Sequence, residues 1–234
     1  MTAINVVCQP QHGLIQIATD GAVYDDAGVV QRLGSKVHAV PHWSAAIASR
    51  GNADHAAIAI GELINAFGSF DELVYSVSRE LPVIVEKYKL DRPFELIITG
   101  FSSDRRAPEV HFIRTLGEND SGLGVDPYLL FPMGKSTFAP WPTDELLTAA
   151  AFVEPRSDDA PKKVARSLRK LLEMQRRVLA DDGAPRVGGF AQLTTITPQE
   201  ISQRIIHRWT EDVVGERMTP PPILWAKWNR ENGG

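Results

Sequence analysis

The sequence predicts an α+β fold in which two sheets lie between two helical layers. Three observations predict it. Strand-like and helix-like segments come in separate blocks, not in βαβ alternation. Helical periodicity is confined to two stretches, 53–88 and 160–180. Of the 234 residues 43% are apolar and 23% charged, the composition of a globular chain with a sizeable core.

The elements follow in order. Ala3 to Gln9 and Leu14 to Thr19 read as strands, and QPQHG between them supplies the turn residues Pro10 and Gly13. Val29 to Leu33 and Lys36 to Val40 read as a second strand pair hinged at Gly34. Ser44 to Ser49, SAAIAS, is small and apolar and fits a tightly packed central strand. From Ala53 to Phe67 the residues Ala56, Ile60, Leu63, Ile64 and Phe67 fall on one helical face. Ser69-Phe-Asp-Glu72 has the pattern of a capping box and starts a helix reaching about Tyr88, which Pro82 is expected to kink or break.

Strands then return. Phe94 to Gly100 and Glu109 to Leu116 are joined by SSDRRAP, and Tyr128 to Phe131 is a further short strand. Ala160 to Ala180 is amphipathic, with Val164, Leu168, Leu171, Leu172 and Val178 inward. After DDGAPRVGG, Phe190 to Ile196 forms a last core strand, and Ile201 to Trp209 pairs back onto it. Residues 1–212 make up the domain. Residues 213–234 form an extension in which three prolines precede ILWAKW. Two tryptophans and two aliphatics are not expected to stay in water, so this tail either folds back or docks on a neighbouring subunit as an arm.

A net charge of −4 gives no footprint for nucleic acid, and no apolar run reaches the length of a membrane span. With no basic, apolar leader, a soluble cytoplasmic protein is expected. Cys8 is the single cysteine, so no disulfide framework exists, and it reads as a small core residue. The six histidines contain no pair at metal-ligand spacing on one helix face, and neither a metal nor a cofactor is expected. Gly134-Lys135-Ser136 lacks the earlier glycine of a phosphate loop, since position 129 is Leu. Gly122-Leu123-Gly124 fails as a dinucleotide fingerprint at Pro127. A Ser-His-Asp triad stays open, because its members need not be neighbours in sequence, but no Gly-x-Ser-x-Gly elbow supports it.

Thr2 stands directly behind Met1, at the start of the first strand. It is either the first residue of that strand or, once Met1 is removed, a hydroxyl beside a free amine. Thr2, HGLIQIATDG, SKVHAV and SAAIASRGNADHA resemble the proteasome β-type peptidases, including the simpler bacterial threonine peptidases of that fold. Asp20, Lys36 sixteen residues later and Asp54 eighteen residues beyond keep the family spacing. RVGGFAQLTTIT resembles the Gly-Gly that leads into the family's last core strand, so the likeness covers about residues 2–197.

The resemblance implies an N-terminal-nucleophile hydrolase. Thr2 would attack a peptide carbonyl with its own α-amine as base, a group that ordinarily titrates at about 7.7–8.0. Lys36 would favour the alkoxide, Asp20 would hold Lys36, and backbone N–H groups of Arg50 and Gly51 would hold the oxyanion. It also implies a homo-oligomer acting on peptides or unfolded proteins, with an unfoldase as a conceivable partner. The sequence departs from the family at several positions. Lys135 stands where the family has Ser, Ala184 and Val187 replace its Asp-x-x-Ser, and Arg50 replaces a glycine. Asp181 or Asp182 could substitute for the missing Asp only if the loop is rearranged. These departures suit a rival reading, a catalytically silent subunit of a ring or phage-type particle.

Overall fold

In a computed structural model, which describes residues 2–116, 124–180 and 182–232, the chain is a mixed α+β protein. β1 (Ile4–Gln9) and β2 (Leu14–Asp20) form the expected hairpin, joined by a 3-10 turn at Pro10–His12. β3 (Ala22–Tyr24) and β4 (Val30–Leu33) make a small two-stranded sheet. β5 (Val37–Val40) and β6 (Ala45–Gly51) open a second large sheet. The helices α1 (Ala53–Ala66) and α2 (Phe70–Tyr88) follow, then β7 (Phe94–Ser102), β8 (Ala107–Arg114) and β9 (Phe131–Pro132). The chain continues through β10 (Ser136–Ala139), α3 (Asp144–Ala149), α4 (Pro161–Gln175), β11 (Phe190–Ile196), β12 (Ile201–Arg208) and α5 (Trp225–Asn232).

All ladders among the described residues are antiparallel. One sheet runs β10-β1-β2-β11-β12 and the other β5-β6-β7-β8-β9. Ile4, Val6, Ile15 and Ile17 of the first sheet share a core with Ala46, Ala48, Ile97 and Phe112 of the second. On the first sheet's other face, Ala3, Val7, Ala18 and Leu193 pack against Val164, Leu168 and Leu172 of α4. On the second sheet's other face, Ala45, Ile47, Leu96 and Ile98 meet α1 and α2. Both faces of β1 are therefore covered, which is why its sequence is apolar without alternation. Cys8 is buried in the core between the sheets, and burial pushes its thiol up to about 11. A thiol held protonated and out of water is expected to react with an aromatic disulfide reagent in the folded chain at less than about one-tenth the rate seen in denaturant. Equal rates, followed by absorbance, would contradict this placement.

Four expectations are corrected. β4 and β5 do not pair with each other: β4 pairs with β3, and β5 with β6. Their apolar residues belong to different cores, Val30 with Ala22 and Met218, Val37 with the core between the large sheets. Gly34 donates to the carbonyl of Gly21, and the chain crosses there from one sheet to the other. Second, α2 runs unbroken through Pro82, held by Val77, Leu81 and Ile84 buried on either side of it. Third, α4 ends at Gln175 rather than Ala180, as i→i+3 bonds from Arg177 to Met174 and Val178 to Gln175 turn the chain. Fourth, Tyr128 is a turn residue with φ 61°, and the short strand begins at Phe131.

The tail lies on its own chain. Arg217 bridges to Val29, and Met218 is buried against Ala22 and Val30. Trp225 packs beside Leu171 and Met174, and the guanidinium of Arg177 sits 5.7 Å from its ring centre. Among the described residues no helix is long and apolar enough to cross a membrane.

Candidate active site

The site begins with Asp20, the last residue of β2, whose side chain is fully buried. Four donors converge on it. Oδ1 accepts from Lys36 Nζ at 2.8 Å and from the N–H of Ala3 at 3.0 Å. Oδ2 accepts from the N–H of Gly188 at 3.1 Å and, more weakly, from that of Ala22 at 3.4 Å. The Ala3 bond ties the start of β1 to the end of β2 and so fixes Thr2.

Lys36 lies on the crossing between the small sheet and β5, and its Nζ reaches Thr2 Oγ1 at 3.2 Å. Burial lowers its pKa, the Asp20 carboxylate pulls it back up, and the Arg50 guanidinium pushes it down. Burial is the largest of these, so the ammonium gives up its proton more readily than a free lysine. Thr2 itself is 7% exposed and lies in the wall of a cleft of about 710 Å³, with Lys36, Ser49, Gly51, Asn52 and Arg186 around it.

The two oxyanion candidates differ. Ser49 donates its N–H to Lys36 and Asn52 donates to Pro93. Alternation along β6 then turns the N–H of Arg50 toward β7 and that of Gly51 toward the Lys36 side. The Arg50 side chain does not fill the cleft: it is buried with its Nε 3.7 Å from Glu95. Gly51 has φ +88°, and a Cβ there would stand 2.6 Å from the Pro93 carbonyl oxygen, so the position requires glycine.

Asp54 is in the first turn of α1, largely exposed, and pairs with Arg32 at 2.9 Å. It lines the cleft but makes no contact with the Thr2–Lys36–Asp20 cluster. Lys135 is not beside Thr2: its carbonyl accepts from Cys8, six residues and about 20 Å along β1. Val187 is buried in the core against α4. Asp182 is gripped by Arg186 and caps its own turn at Ala184. Met1, Asp181 and Gly122-Leu123 lie outside the described residues.

Reading the sequence alone missed the Gly188 N–H as a ligand of Asp20, and Arg186 in the cleft wall. The only sequence signal for the first was the Gly-Gly ahead of β11. No group of three metal-ligating side chains occurs among the described residues. Comparison of the chain with protein-family models and with curated proteins finds no match to either.

Proposed function

We propose that the chain is a threonine-type N-terminal-nucleophile hydrolase with the αββα sandwich of that class, cleaving amide bonds of peptides or unfolded proteins as a subunit of a cytoplasmic homo-oligomer. The observation that carries the reading is the Lys36 ammonium, shared between Thr2 Oγ1 and Asp20 Oδ1 in the wall of a cleft. With Met1 removed, the Thr2 amine takes the proton of Oγ1 as the oxygen attacks the substrate carbonyl. The ammonium at 3.2 Å lowers the energy of the forming alkoxide. The Gly51 N–H faces the same side and suits the oxyanion. The C–N bond then breaks, the leaving amine receives the proton, and water hydrolyses the ester on Thr2 to release the acid.

The intact mass of active protein tests this. The expected mass is that of a chain starting at Thr2, and a chain engineered to keep residues ahead of Thr2 is expected to be inactive. Activity from protein that carries only the Met1 form would remove the mechanism.

A second reading is a structural subunit that keeps the fold without the chemistry. It is favoured by Ala184 and Val187 at the positions that resemble the family's Asp-x-x-Ser. Correctly processed oligomer without amidase activity is the result it predicts.

A further inference from the structure

Two buried carboxylates hold two consecutive backbone amides behind the site. Asp20 accepts the N–H of Gly188 at 3.1 Å, and Asp212 accepts the N–H of Gly189 at 2.6 Å. Asp212, in the turn after β12, has a fully buried side chain and meets Arg176 through both oxygens, Nη1 to Oδ2 at 2.5 Å and Nη2 to Oδ1 at 3.1 Å. Arg176 follows α4 and is 1% exposed. Its Nη1 also donates to the carbonyl of Val187 at 3.2 Å, and its Nη2 reaches Glu211 at 3.1 Å. Its guanidinium lies 4.5 Å from the ring centre of Trp209. The carbonyl of Gly188 accepts from Gly21 and Ala22, the two residues after Asp20, each at 3.0 Å. The turn is packed without slack: a Cβ on Gly188 would stand 2.3 Å from Met218 Sδ and 2.5 Å from Asp212 Oδ2.

We propose that Arg176 and Asp212 are positioning residues for the Thr2–Lys36–Asp20 centre, acting through the Gly188-Gly189 backbone. The proposal rests on the reading of that centre as the working site. A buried ion pair is not needed to join α4 to the end of β12, because apolar side chains of similar volume would do so as well or better. An apolar side chain cannot accept the Gly189 N–H. With that bond made, the turn aims the Gly188 N–H at Asp20 and its carbonyl at the residues beyond. Asp20 then has one rotamer, Lys36 has one place to donate, and Nζ stays against Thr2 Oγ1. Displacements of about 1 Å at such a centre change rates about 10²-fold.

The test compares the wild-type full chain with the double variant Arg176→Met/Asp212→Leu, which removes both buried charges together and with them the acceptor of the Gly189 N–H, while Glu211, about a third exposed, stays solvated. Leu81→Ala, on the buried face of α2, serves as a control for lost stability alone. Lys36 is followed by ¹³C NMR of its ε-carbon across pH, with Asp20 and Arg50 as its charged neighbours. Thr2 is followed by its acylation with a peptidyl electrophile. In the double variant Lys36 is expected to titrate higher, toward an ordinary lysine, as water reaches the loosened turn. Acylation is expected to slow tenfold or more, and Leu81→Ala is expected to change neither. A folded double variant with unchanged Lys36 titration and an acylation rate equal to that of Leu81→Ala would overturn the proposal.

If the double variant does not fold, Arg176→Lys keeps the charge and loses the two-pronged grip. A smaller shift in the same direction then supports the proposal, and no shift in either readout overturns it. Absence of acylation in processed wild type would count against the hydrolase reading, and the Lys36 titration would still decide the positioning.

Discussion

Replacing Asp20 with alanine is expected to destabilise the chain by about 3–5 kcal/mol, the largest effect of any single substitution at the site. The change strands the buried Lys36 ammonium and leaves the N–H groups of Ala3 and Gly188 without their acceptor. It also unties β1 from β2 beside Thr2 and frees the turn ahead of β11. Urea unfolding of wild type and variant measures it. A loss below about 1 kcal/mol would mean that the carboxylate is dispensable to the fold and that its four donors are satisfied elsewhere.

Lys36→Ala is expected to lower amide hydrolysis by about 10²–10⁴-fold while the fold survives. Asp20 keeps its backbone donors in this variant, so the two substitutions are not equivalent. Hydrolysis of a peptide substrate at the wild-type rate would make Lys36 an ordinary residue of a sheet crossing. The same lysine predicts a pH dependence of stability with a defined sign. Its pKa in the folded chain lies below the ordinary lysine value of 10.5, so the unfolded chain binds the proton more tightly. The resulting penalty on folding is fully present below the folded pKa and fades as pH rises toward 10.5. Over that interval wild type is expected to gain stability relative to Lys36→Ala.

The parts of the fold fixed by short-range chemistry were legible in the sequence. QPQHG marked the β1–β2 hairpin, SSDRRAP the β7–β8 hairpin, and Ser69 and Glu72 the start of α2. What escaped depends on partners far away along the chain. Val30 to Leu33 and Val37 to Val40 look like a hairpin around Gly34, and only their burial in different cores separates them. Pro82 breaks a helix in isolation but not one pinned to a sheet on both sides of the proline. Asp20 and Lys36 were legible as a pair only through the resemblance, whose family spacing they keep, since nothing local says that the crossing at residues 34–36 passes over the end of β2. Arg176 and Asp212, 36 positions apart, carried no signal at all.

The most direct test is to treat processed, folded wild-type chain with a peptidyl electrophile that acylates a threonine hydroxyl, and to map the adduct by tandem mass spectrometry. The account predicts one adduct, on Thr2, absent from Lys36→Ala and from chain that retains Met1. No adduct on Thr2, or one that forms equally in all three proteins, would contradict it.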